Sequence, residues 1–198
     1  MQITFTHKKI NEVDLAKIPG FYLKAGRYMV SATQRKINGG IAPANAPLTV
    51  AVKKGSRTLR DRGQLMSSIA DSRIPCGVAV GTNHIGARIN QLGGTIRAKK
   101  TWLFIPAAYN TRKLQRRYGF KVGACMKGMR AAGYKIWFQV NKKTGVVMAK
   151  NGKRGKPFVL FILKKQVIIP ARPFLNIDKT DESVLLLMLR KEIGVSQK

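Results

Sequence analysis

Chemistry in a protein of this kind has to come from its charged residues, and these are lopsided. Arg112, Lys113, Arg116 and Arg117 fall at i, i+1, i+4 and i+5, so a helix sets them along one edge, with Tyr109, Tyr118 and Phe120 interleaved. Cations with aromatics between them can neutralise phosphates and stack on bases. Arg97, Lys99 and Lys100 form a second cluster, and Lys150, Lys153, Arg154 and Lys156 a third. No acidic residue stands between Asp71 and Asp178, and the formal net charge is +30 over 198 residues. Each cluster alone reads as a solvated face. Together, with no compensating acid, they predict a surface turned toward a polyanion or an acidic partner.

The same inventory argues against catalysis. Paired carboxylates would have to come from Asp61, Asp71 or the terminal segments. His7 and His84 are isolated, and Cys76 and Cys125 are too far apart in sequence to suggest a zinc or redox pair. Ser67-Ser68 has no evident activating partner, and the glycines at 86–95 lack the Lys-Ser/Thr of a phosphate loop. The expectation is no enzyme, no catalytic residues, no metal and no cofactor. The start of the chain has no apolar signal core, and no apolar run approaches the ~20 residues that span a bilayer. This predicts cytoplasmic synthesis with reduced thiols and no membrane partner.

Apolar content of 44% predicts a packed core. Gln2–Thr6 alternates as a short strand, or an arm pairing with another chain. A helix from Pro19 to Asn38-Gly39-Gly40 sets Tyr22, Ala25, Met29, Ala32 and Lys36-Ile37 in one stripe, with Lys24, Arg27 and Arg35 around it. Leu48–Lys53 is a helical turn or a strand. Gly63–Asp71 reads as a short helix with Leu65 and Ile69 on one face, Cys76–Thr82 as a strand, and His84–Leu92 as a helix capped by Asn83. Thr101–Pro106 is a strand. Tyr109–Ala132 is helical and broken by Gly119, Gly123 and Gly128, and Gly133–Val140 pairs with Val146–Ala149 as a hairpin.

A long central strand follows, Val159 to Ile169 within an apolar stretch reaching Ile177, half exposed beyond Lys164. Pro170 and Pro173 end pairing. The last helix, about Thr180 to Ile193, is capped by Asp178 or Thr180 and carries the apolar block Val184–Leu189. Such a block is covered either by its own core on both sides or by another copy through Leu186, Leu189 and Ile193. The order of elements gives an α+β class, an antiparallel sheet with a long central strand packed by the N- and C-terminal helices.

Three phrases in order carry a resemblance. They are Leu59-Arg60-Asp61-Arg62-Gly63-Gln64-Leu65 with Ser68-Ile69, preceded by Pro47–Val50 and Lys54-Gly55-Ser56; Val80-Gly81-Thr82-Asn83 with Ile89 to Ile96 around Gln91-Leu92-Gly93-Gly94; and Ile169-Pro170-Ala171-Arg172-Pro173-Phe174-Leu175. The chain resembles the phage virion-morphogenesis, or tail-completion, family of Mu-like phages from about Gly20 to Ile193. It departs in lacking an aromatic between Ala42 and Pro47 and in its long basic section, about 99–156, within what would be a single domain over 1–198. The resemblance implies a structural virion protein that completes the tail and joins it to the head at the neck. It implies a ring, most simply a hexamer, touching head–tail connector and tail-tube or tail-terminator proteins, with genomic DNA in reach. The alternative is a stand-alone nucleic-acid binder of ribosomal or nucleoid type. Pro170, Arg172, Pro173 and Phe174 then form a corner aiming the last helix. Phe174 is either core, with Arg172 in a salt bridge to Asp178 or Asp181, or both meet a partner.

Overall fold

The computed structural model describes residues 2–6, 18–53, 55–142 and 144–194. His7 and Lys54, named above, lie outside the described residues. The fold is α+β, with helices and small antiparallel sheets, and the chain divides into two compact units. The first comprises Met1–Pro43, Arg57–Gly93 and Pro170–Lys198; the second comprises Ala44–Ser56 and Gly94–Ile169.

In the first unit, β1 (Gln2–Thr6), β3 (Gly77–Thr82) and β2 (Ile69–Ile74) form a sheet in the order β1-β3-β2. Helix α1 (Pro19–Gly39) opens on its proline and lies against β2 and β3. Tyr22, Ala25, Met29, Ala32 and Ile37 are buried along it, as the spacing predicts. Gly26 permits the close approach, because a Cβ there would meet Val78 Cγ2 at 2.7 Å and Asp71 Oδ2 at 2.9 Å. Helix α7 (Lys179–Glu192) packs on α1 in the same unit.

Two local expectations are corrected here. The helix expected over Gly63–Asp71 is a single turn, α3 (Gln64–Ser67), and Ile69 already begins β2. The Ser68 hydroxyl donates to the Leu65 carbonyl (2.8 Å) and lies 2.6 Å from the Thr82 hydroxyl, while Ile69 takes up register with Thr82 on β3. Strand pairing thus overrides a four-residue spacing that reads as helical; Leu65 and Ile69 still share the core. Helix α4 begins at Ala87, not His84, and runs to Leu92. Asn83 does not cap it. The Thr82 hydroxyl accepts from the His84 amide and His84 Nδ1 accepts from the Gly86 amide, so these residues build a turn before the helix.

In the second unit, β5 (Leu103–Pro106), β8 (Phe158–Lys164), β7 (Thr144–Asn151) and β6 (Tyr134–Val140) form a sheet in the order β5-β8-β7-β6. Helices α5 (Tyr109–Tyr118) and α6 (Val122–Ala131) supply Leu114, Tyr118, Cys125 and Met129 to a core with Val147, Ala149, Leu160, Phe161 and Leu163. Gly119 separates the two helices, whereas Gly123 and Gly128 lie inside α6. Leu48–Lys53 falls in helix α2 (Pro47–Lys53).

The central strand is shorter than the apolar run suggests. β8 stops at Lys164; β9 (Gln166–Ile169) leaves the sheet and pairs with β4 (Gly94–Arg97), an element the sequence reading does not contain. The core around β8 comes from α5 and α6, and the terminal helices pack on each other in the first unit.

Candidate functional site

The third resemblance phrase is fixed by the second. Gln91 on α4 is buried, and both ends of its side-chain amide are engaged. Oε1 accepts from the amides of Phe174 (2.9 Å) and Leu175 (3.0 Å), and Nε2 donates to the Leu175 carbonyl (2.9 Å). A segment stiffened by Pro170 and Pro173 has no strand partner of its own here, and this one amide supplies what a strand would. The Arg172 amide donates to the Asn90 carbonyl (2.7 Å) and its Nε to the Pro43 carbonyl (2.8 Å). Burial pulls the Arg172 pKa down from its ordinary value. Phe174 is wholly buried beside Met29, Ile37, Leu65 and Val80, so it is core.

The acids expected near Arg172 hold a different cation. Lys36 on α1 lies 3.0 Å from Asp178 and 2.5 Å from Asp181, and donates to the Asn176 carbonyl at 2.9 Å. Asp181 is 3% exposed, and its other oxygen accepts from the Tyr28 hydroxyl. Asp178 caps α7 by accepting from the Asp181 amide (2.9 Å), and Asp181 accepts in return from the Asp178 amide (3.1 Å). Burial alone would lower the Lys36 pKa; the bonds to Asp181 and Asp178 outweigh it and hold the ammonium above its ordinary value. The start of α7 is thus pinned to α1.

This network has a pH signature. The Asp181 amide first, then Lys36, hold the Asp178 carboxyl below the usual carboxylate range. Between the lowered folded value and the unfolded one, the unfolded chain binds a proton at Asp178 that the folded chain does not. The stabilisation is present above the unfolded pKa, about 3.9, and is lost as pH falls through it toward the lowered folded value. Urea midpoints should fall between about pH 5 and pH 3, and less steeply in Asp178→Asn. Equal acid slopes in both proteins would remove Asp178 from the linkage.

Beyond its fixed start, α7 splits by face. Leu185 and Leu189 pack on Tyr22, Ala25 and Val78, while Leu186 and Leu187 are 55% and 51% exposed. Of the three residues expected to face another copy, Leu186 is open, Leu189 leans on its own unit and Ile193 is half-buried. Leu187, not singled out by the sequence, is the second open leucine.

The three predicted basic clusters fall in the second unit, which holds 21 of the chain's 38 Lys and Arg and none of its 8 acids. The three clusters do not merge. Lys113, Arg116 and Arg117 are exposed on α5, with Arg112 half-buried. Lys113 and Arg117 sit over the rings of Tyr109 and Tyr118, at 5.2 and 5.4 Å, so these two rings are already occupied by cations. Arg97 ends β4, and Lys99 and Lys100 precede β5 at the end of the sheet where Leu103 meets Lys164. Lys153 and Arg154 lie in the β7–β8 turn, at the opposite end. The sequence reading missed what the register adds at that end: Lys135 on β6 stands directly opposite Lys150 on β7.

Among the described residues, no three His, Cys, Asp or Glu side chains gather as a metal site would require, and no helix is long and apolar enough to cross a membrane. Residues 11–117 match the model of a family described as the phage virion morphogenesis family. No curated protein and no solved structure matches the chain.

Proposed function

The chain belongs to the phage virion morphogenesis family, a structural and assembly family, and from that premise we propose that it completes the phage tail and joins it to the head at the neck as a closed ring. The observation that carries this reading is the pair of open leucines on α7. Leu186 and Leu187 stand exposed on a helix whose start is locked by Asp178, Asp181 and Lys36 and whose inner face is already packed. A rigid helix with adjacent open leucines is suited to a subunit contact, and a contact between two different patches repeats into a ring when its rotation closes. Sixfold closure, matching a tail tube, is the simplest arrangement. Head–tail connector and tail-tube or tail-terminator proteins are then the neighbours, and the neck of the virion the location. A structural role needs no cofactor and no catalytic residue.

The test is Leu186→Asp combined with Leu187→Asp. Light scattering should show a ring for the parent chain and a monomer for the variant, with an unchanged unfolding midpoint because both side chains are open. In a phage carrying the variant, tails and filled heads should accumulate unjoined. A variant that keeps the parent's mass in solution, or joins heads to tails normally, overturns the reading.

A further inference from the structure

We propose that the second unit binds the backbone of duplex DNA at one end of its four-stranded sheet, through Lys135, Lys150, Lys153, Arg154 and Lys156. Side chains alternate along β6 and β7. Tyr134, Ile136, Val147 and Ala149 point into the core, so Lys135, Lys150, Trp137 and Met148 occupy the face turned away from it. Lys135 and Lys150 are cross-strand partners in register, and like charges directly opposed weaken a sheet. No ion pair engages either among the described residues, and their unit contains no carboxylate. Nothing within that unit offsets the repulsion; phosphates bound by the two ammoniums do.

The adjoining turn adds the remaining charges in a fixed geometry. The Gly155 amide donates to the Asn151 carbonyl at 3.1 Å, and a Cβ on Gly155 would fall 2.1 Å from that oxygen, so glycine is required there. Gly152 has φ +58°. A tight turn held this way displays Lys153, Arg154 and Lys156, all exposed, beside the lysine pair.

The chemistry selects duplex DNA over an acidic protein or a single strand. Centres of protein interfaces are depleted in lysine, whereas DNA interfaces are strongly positive. Single-strand platforms need open rings on which bases stack. At this end of the sheet Tyr134 and Trp137 are half-buried, and the open ring of Phe120 follows α5, on none of the elements that carry these five residues. The inference goes beyond the assembly reading and does not depend on it. A monomer that binds DNA leaves it standing, and a ring that ignores DNA removes it alone.

The experiment is fluorescence anisotropy of the full chain with mixed-sequence duplex DNA across a salt series. Five phosphate contacts give a slope of log K against log salt of roughly −4.5. Lys135→Gln with Lys150→Gln should make that slope shallower by about 2. The same pair should raise the thermal midpoint of the free protein, because the opposed charges are gone. A purely structural role for the lysines would not combine a more stable chain with weaker DNA binding. Arg73→Gln with Arg88→Gln removes equal charge from the first unit and should leave the slope nearly unchanged. The proposal is overturned if the two variant pairs weaken binding equally, if polyglutamate or single-stranded DNA binds as tightly as the duplex, or if the duplex does not bind.

Discussion

Gln91→Leu should destabilise the first unit by about 3–5 kcal/mol, the larger of two effects centred on the corner. Leucine nearly matches glutamine in size, so the loss is not one of packing. Three backbone groups lose their partner together: the amides of Phe174 and Leu175 and the carbonyl of Leu175. Phe174 and Leu175 are both buried, so water does not readily replace the lost bonds. A buried orphan costs roughly 1–3 kcal/mol; three of them, partly relieved by local movement, give the stated range. The measurement is urea denaturation followed in the first unit. Gln91→Glu is the companion variant. Protonated, it keeps the acceptor for both amides and can donate its O–H to the Leu175 carbonyl; ionised, it keeps the acceptor but buries a charge and turns a second acceptor on that carbonyl, so its penalty should grow as pH rises. A Gln91→Leu midpoint within error of the parent would show that the corner is held by the packing of Phe174 alone.

The corner also shows what a single sequence can and cannot reveal. The stripe Tyr22, Ala25, Met29, Ala32 and Ile37 was legible because helical periodicity is a local signal with one meaning. So were the β6–β7 hairpin and the acid-capped start of α7, where residue chemistry and position agree. The pairing of β4 with β9 was not legible, because it joins Gly94–Arg97 to Gln166–Ile169 and neither segment advertises the other. Ile69 misled for a different reason: a spacing of four is helical locally, but Ile69 opens a hairpin in which Thr82, across the turn at Pro75-Cys76, is its partner. Gln91 could be noticed only within a resembling phrase. A glutamine two residues before a glycine pair gives no sign that it will hold the backbone of residues 174–175. The acids near Arg172 were assigned to the wrong cation because Lys36, one helix turn from the end of α1, is ordinary in sequence and becomes a clamp only when α1 meets α7. The opposed lysines, likewise, exist only once register is known.

Asp181→Ala should cost about 3 kcal/mol and should loosen α7 without unfolding its inner contacts. The carboxylate is buried and joins three groups: Lys36, the Tyr28 hydroxyl and the amide of Asp178. Its removal leaves the Lys36 ammonium with Asp178 and Asn176, the latter through both its carbonyl and its side-chain oxygen, and abolishes the reciprocal half of the helix cap. The value sits at the lower end of the usual 3–5 kcal/mol for breaking a buried pair because those two partners remain. A double-mutant cycle decides whether the ion pair or its surroundings carries the cost. Lys36→Met with Asp181→Leu removes the pair and fills the site with apolar groups, and should recover part of the stability lost in Asp181→Leu alone, which leaves the half-buried Lys36 ammonium with one carboxylate in place of two. The functional consequence separates rigidity from surface chemistry. Leu186 and Leu187 are untouched in Asp181→Ala, yet the helix that presents them is no longer pinned at its start. If assembly depends on a preset helix, the ring should dissociate at higher protein concentration in Asp181→Ala than in the parent, and the double replacement should restore the parental value. Dissociation that follows only the leucine substitutions, with Asp181→Ala assembling as the parent does, would assign the interface to side-chain contact and leave the clamp a role in stability alone.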